Sequence, residues 1–111
     1  MSSQKTFLGE FEQMVLLAIL RTGDRAFGLE VRRELETKAD RTVSRGAFYT
    51  TLDRLEGKGF LSWTEMVPPG GRTAQPLRRY RLTSEGLDAL RASRRAFEAL
   101  SDGLESVWEG A

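Results

Sequence analysis

The hydrophobic pattern of this chain changes period near residue 60 and changes back near residue 83, and few folds accommodate that order. Before the change, apolar residues recur at spacings of three and four, as on a helix. Leu8, Phe11, Val15, Ala18 and Ile19 form one stripe, widened by Leu16, Leu17 and Leu20, which predicts a helix over residues 8–21 covered on more than one side. Gly23 is placed to end it. A second helix is predicted over residues 28–38, with Leu29, Val31 and Leu35 facing inward. Ser44 is a credible N-cap for a third helix, over residues 45–58, that buries Phe48, Leu52 and Leu55. Tyr49, Thr50, Asp53 and Arg54 then fall on or near its outer side. Residues 60–67 and 78–82 fit strands better than helices, with Tyr80 and Leu82 on one face of the second and Arg79 and Arg81 on the other. The long Pro/Gly-containing connection from Pro68 to Pro76 predicts a hairpin with a mobile tip. Thr83 or Ser84 would cap a last helix running to about Glu109.

Helix, helix, helix, hairpin, helix is the winged helix-turn-helix order: mainly α, with a small β-hairpin. A chain of 111 residues has room for one core. The expected division is a winged helix-turn-helix domain over residues 1–82 and a C-terminal dimerisation helix over residues 83–111. There is no cysteine and no histidine, which excludes disulfides, zinc-thiolate sites, thiol nucleophiles and the commonest general base and metal ligand. The carboxylates fall in no recognisable catalytic pairing and there is no glycine-rich phosphate loop, so the expectation is a protein with no catalytic site, cofactor or metal. The apolar run from Met14 to Leu20 is too short to span a bilayer and makes a poor signal peptide, which predicts a cytoplasmic protein without membrane contact.

Net charge is only +1, which argues against a nucleic-acid partner until it is divided by element. Residues 1–40 carry six basic and seven acidic side chains, and residues 82–111 carry three and six. Residues 41–81 carry eight basic and three acidic, a local charge of +5 on the third helix and the hairpin. Those are the elements a winged helix presents to DNA, where a local cluster matters more than the total because the duplex carries roughly one phosphate charge per 1.7 Å. The expected DNA contacts are Ser44, Arg45, Tyr49 and Thr50 from the helix and Arg72, Arg78 and Arg79 from the hairpin. Arg54 and Glu56 lie further along the helix and are expected to pair with a neighbouring helix. The alternative is a winged-helix module that uses its hairpin to bind protein partners.

Three segments resemble one family. The stretch Gly46-Ala47-Phe48-Tyr49-Thr50-Thr51-Leu52-Asp53-Arg54-Leu55-Glu56-Gly57-Lys58-Gly59 resembles the signature of PadR-like transcriptional regulators. Phe27-Gly28-Leu29-Glu30-Val31 is similar to that family's second-helix segment, with Leu29 where tyrosine is more usual. Arg79-Tyr80-Arg81-Leu82-Thr83-Ser84-Glu85-Gly86 resembles its wing strand and the start of its last helix. The resemblance implies a bacterial homodimeric regulator, usually a repressor, often of an adjacent transporter or detoxification gene, with Ser44 and Tyr49 at the DNA and the arginines near the wing on phosphates or in the minor groove.

The last helix supplies the expected dimer contact. Leu90, Phe97 and Leu104 are spaced by seven, as are Ser93, Leu100 and Val107, and Trp108 follows. A helix of about 26 residues would be about 39 Å long, more than a small core covers, so a second copy is its simplest partner. Such a dimer would offer two recognition helices to a two-fold operator in double-stranded DNA. Gly103 is the weak point of that helix. Some members of the family bind flat aromatic molecules at the dimer interface, which makes Phe97 and Trp108, with Trp63 after them, candidates for contact with a small hydrophobic effector.

Overall fold

The computed structural model describes residues 8–67 and 75–110. Their order is α1 (Glu10–Thr22), a short 3-10 turn (Gly23–Arg25), α2 (Gly28–Lys38), α3 (Arg45–Gly57), β1 (Leu61–Met66), β2 (Leu77–Leu82), α4 (Ser84–Ser101) and α5 (Glu105–Glu109). This is the winged helix-turn-helix expected from the sequence. The Pro/Gly-containing tip, with Arg72, lies outside the described residues.

The core is one cluster contributed by α1, α2, α3, both strands and α4. Val15, Leu16 and Ile19 of α1 meet Val31 and Leu35 of α2, Phe48, Leu52 and Leu55 of α3, Leu61 of β1, Tyr80 of β2 and Leu90 of α4. Leu29 is not part of it: its side chain is 52% exposed, contrary to the inward placement expected. The reason is angular. At about 100° per residue, Leu29 lies roughly 200° around α2 from Val31, whereas Leu35 lies one turn on from Val31 on the same face.

Two polar devices set the helix starts and ends. Ser44 Oγ accepts the Ala47 N–H at 3.1 Å, the N-cap of α3. The Glu12 carboxylate accepts the Gly9 N–H at 2.8 Å and the Lys58 ammonium, also at 2.8 Å, tying the start of α1 to the end of α3.

β1 and β2 pair antiparallel, with Leu61 opposite Leu82, Trp63 opposite Tyr80 and Glu65 opposite Arg78. Residues 26–27 add a third edge: Phe27 bridges Arg79, and the Tyr80 N–H donates to the Ala26 carbonyl at 2.9 Å. The hairpin is therefore fixed on both sides, to itself and to the approach to α2.

Of the two residues expected to cap the last helix, Thr83 does so. Its hydroxyl accepts the Gly86 N–H at 3.0 Å and donates to the Gly59 carbonyl at 2.6 Å. Gly86 lies so close to the turn between α3 and β1 that a Cβ there would fall 2.0 Å from the Phe60 carbonyl oxygen.

The last helix does not run unbroken to Glu109. It stops at Ser101, turns through Asp102 to Leu104, and resumes as α5. Gly103 adopts φ +86°, a left-handed conformation that interrupts the helical ladder and that glycine tolerates without steric cost. An 18-residue α4 is about 27 Å long rather than 39 Å. Leu104, Val107 and Trp108 consequently leave the line set by Leu90, Phe97 and Leu100, and the two sevenfold seams do not share one continuous helix.

Candidate nucleic-acid interface

The candidate interface is built around the start of α3. Phe48 is wholly buried and anchors the helix, while Arg45 and Thr50 are exposed. Ser44 is exposed too, although its hydroxyl already accepts the cap hydrogen bond. Tyr49 lies between these extremes. Its ring meets Phe48 edge-on, with centroids 5.1 Å apart and planes at 79°. Its hydroxyl is placed over Gly28 at the start of α2, where a Cβ would fall only 2.3 Å away. The Arg45 guanidinium, one turn back on α3, lies 5.7 Å from the Tyr49 ring centroid. Tyr49 is thus a half-buried packing residue with one accessible side, not a side chain projecting freely from the outer face.

The wing faces this helix across an open cleft of about 510 Å³ lined by Gly28, Leu29, Arg45, Tyr49, Arg78 and Tyr80, among others. Arg78 stacks on Trp63 with its guanidinium carbon 4.0 Å from the ring centroid. The indole N–H in turn donates to Glu56 Oε2 of α3 at 3.0 Å. Burial holds the Tyr80 hydroxyl above its ordinary pKa, against the opposing hydrogen bond and charge of Arg78. Arg78 therefore stands at the mouth of the cleft, on the same side of the hairpin as Trp63 and Tyr80.

Strand alternation separates Arg79 from Arg78. Arg79 emerges on the opposite face, with its side chain 26% exposed and an ion pair of 3.9 Å to Asp24. Arg81 shares that face and is exposed. The cleft thus brings Arg45, Tyr49 and Arg78 together, with Ser44 and Thr50 on the adjoining exposed surface of α3, whereas Arg79 flanks the wing.

Among the described residues, neither Arg54 nor Glu56 forms the ion pair expected with a neighbouring helix, although the charge of Arg54 acts on Glu12 of α1. Glu56 bonds to Trp63 of the wing, and Lys58 reaches α1 through Glu12. Burial pushes the Glu12 carboxyl up, but the hydrogen bonds from Lys58 and the Gly9 N–H, with the charges of Lys58 and Arg54, outweigh it and leave the pKa below its ordinary 4.5. Sequence reasoning missed this pair. Its one signal was an acidic residue on the inward side of α1, adjoining the Leu8, Val15 and Ile19 stripe.

Phe97 and Trp108, the effector candidates, are 70% and 65% exposed in the single chain. They lie on α4 and α5 respectively, on either side of the turn at Gly103. Among the described residues no helix is long and apolar enough to cross a membrane, and no cluster of His, Cys, Asp or Glu could hold a metal ion.

The fold recurs among solved structures. No curated protein matches the chain significantly. Among solved structures, a PadR-like transcription factor from Bacteroides fragilis superposes with a TM-score of 0.68 at 23% identity, covering 87% of this chain and 88% of that one. RosR of H. salinarum gives 0.67 at 25% identity, covering 90% and 83%. A PadR family regulator from Eggerthella lenta gives 0.59 at 22% identity, covering 89% and 87%. The family model for the transcriptional regulator PadR-like family matches residues 16–92, from the middle of α1 to the middle of α4. With that match spanning most of the chain, the protein belongs to the PadR-like family of transcriptional regulators, whose members bind DNA and are not enzymes.

Proposed function

We propose that the chain is a homodimeric, sequence-specific repressor. In this reading α3 enters the major groove of each half of a two-fold operator and the wing arginines hold flanking phosphates. The observation that carries the reading is the cleft itself: Arg45 from the start of α3 and Arg78 from the wing stand on either side of one opening. A groove-reading helix with a cation beside it is what combined base and phosphate contact requires. Ser44, Arg45, Tyr49 and Thr50 form the helix side of the interface. Arg78 forms the wing side, Arg79 exchanges its long pairing with Asp24 for a phosphate, and Arg72, outside the described residues, is a further proposed phosphate contact.

In this reading α4 and α5 form the arm through which the chain dimerises. Phe97, Leu100, Leu104, Val107 and Trp108 are all exposed in the single chain, an apolar surface that a second copy covers. Leu90, also expected at the dimer contact, is instead 2% exposed and belongs to the core of its own chain, packed against the elements beneath α4. In this reading Phe97 and Trp108 contact a small aromatic effector at that interface, and an adjacent transporter or detoxification gene is the proposed target. Footprinting of the DNA upstream of the protein's own gene is the direct test. Protection of a two-fold sequence at low salt is the expected result, and absence of protection overturns the reading.

A further inference from the structure

The contact between Gly28 and Tyr49 joins the start of α2 to the reading helix and leaves the tyrosine little freedom. A Cβ on Gly28 would fall 2.3 Å from the Tyr49 hydroxyl and 3.2 Å from Cζ, so no larger residue fits while that hydroxyl stays in place. The ring is held from a second side by Phe48, edge-on at 5.1 Å. On its remaining side lies the Arg45 guanidinium, 5.7 Å from the centroid. Arg45 is exposed and carries the charge nearest the start of the helix, whereas the Tyr49 hydroxyl is directed at Gly28.

We infer that Gly28 and Tyr49 are positioning residues for Arg45. The ring is a platform that restrains the guanidinium by cation–π contact, and Gly28 is the socket that holds the platform. Arg45 makes the DNA contact, and Tyr49 contributes through its ring rather than by donating its hydroxyl to a phosphate. A long arginine side chain loses rotamer freedom on binding, so restraining it beforehand strengthens binding without adding a contact.

This inference rests on the DNA-binding reading above, but half of its test needs no DNA. Gly28→Ala places a methyl group against the Tyr49 hydroxyl and lowers the thermal midpoint. Tyr49→Phe removes the hydroxyl, leaving Cζ at 3.2 Å, where a shift of a few tenths of an ångström suffices. The double variant Gly28→Ala/Tyr49→Phe therefore recovers the midpoint of Tyr49→Phe alone. Equal losses for Gly28→Ala in both backgrounds overturn the socket.

The other half uses fluorescence anisotropy with a labelled duplex from the protein's own upstream region. Tyr49→Leu, which removes the ring, loses about five- to tenfold in affinity, the scale of a lost cation–π restraint, and Tyr49→Phe, which keeps the ring, loses clearly less. Tyr49→Leu adds little further loss in an Arg45→Ala background, because both act through one side chain. Tyr49→Phe losing as much as Tyr49→Leu, or additive losses with Arg45→Ala, overturns the platform. Failure of the unaltered protein to bind any upstream duplex counts against the DNA-binding reading and leaves the melting result standing.

Discussion

The carboxylate of Glu12 accepts one hydrogen bond on each oxygen, from the Gly9 N–H and from Lys58, inside a site that is 6% exposed. A buried carboxylate that loses its cation keeps its desolvation cost. Replacing Lys58 with methionine should therefore cost about 2 kcal/mol, less than the roughly 3–5 kcal/mol of a fully buried pair because Lys58 keeps 29% exposure. Chemical denaturation measures it. The pH dependence has a definite sign. Because folding lowers the Glu12 pKa below its ordinary 4.5, the carboxylate stabilises the native state above that value. That contribution is lost as pH falls below it through the folded-state pKa. A thermal midpoint followed from pH 7 to pH 3 should fall more steeply in this acid range for the unaltered protein than for Glu12→Gln. Parallel curves would show that the pair does not contribute.

At the scale of elements, two glycines make opposite predictions. At Gly86 a Cβ would meet the Phe60 carbonyl oxygen at 2.0 Å, so Gly86→Ala must push α4 away from the hairpin and should destabilise by about 2–3 kcal/mol. At Gly103 nothing lies within 4 Å of a Cβ, and the constraint is the positive φ alone. Gly103→Ala should favour joining α4 to α5 as one helix, raising the helical circular dichroism signal without unfolding the core. An unchanged spectrum would mean that other residues impose the turn. These elements also show what the sequence made legible. The period of the apolar residues placed α2 and the order of all elements, and Ser44 marked the start of α3, because these are local signals. Leu29 escaped because it lies only two residues from Val31 in sequence, yet nearly opposite it around the helix. Glu12–Lys58 and Gly28–Tyr49 escaped because each joins residues far apart in the chain, a proximity that periodicity does not encode. Gly103 was visible as a weak point, but only backbone geometry shows whether such a glycine merely weakens a helix or ends it.

For the molecule as a whole, the distribution of charge matters more than its sum. A net charge of +1 comprises +5 on residues 41–81 and −3 on residues 82–111. The structure places Arg45 and Arg78 of the basic segment at one cleft, far in sequence from the apolar positions of α4 and α5. Dimerisation through that arm predicts that Phe97→Asp combined with Leu100→Asp converts a dimer to a monomer in sedimentation at micromolar concentration. A dimer persisting in this variant would place the contact elsewhere. The central claim, that the cleft between α3 and the wing holds DNA, is tested most directly by measuring affinity for an upstream duplex against salt concentration. The unaltered protein should show a steep linear fall of log affinity with log salt, about 0.9 per phosphate contacted. Arg78→Ala should weaken binding to all sequences alike and reduce that slope by about 1. A slope that Arg78→Ala leaves unchanged, or binding indifferent to salt, would contradict the claim.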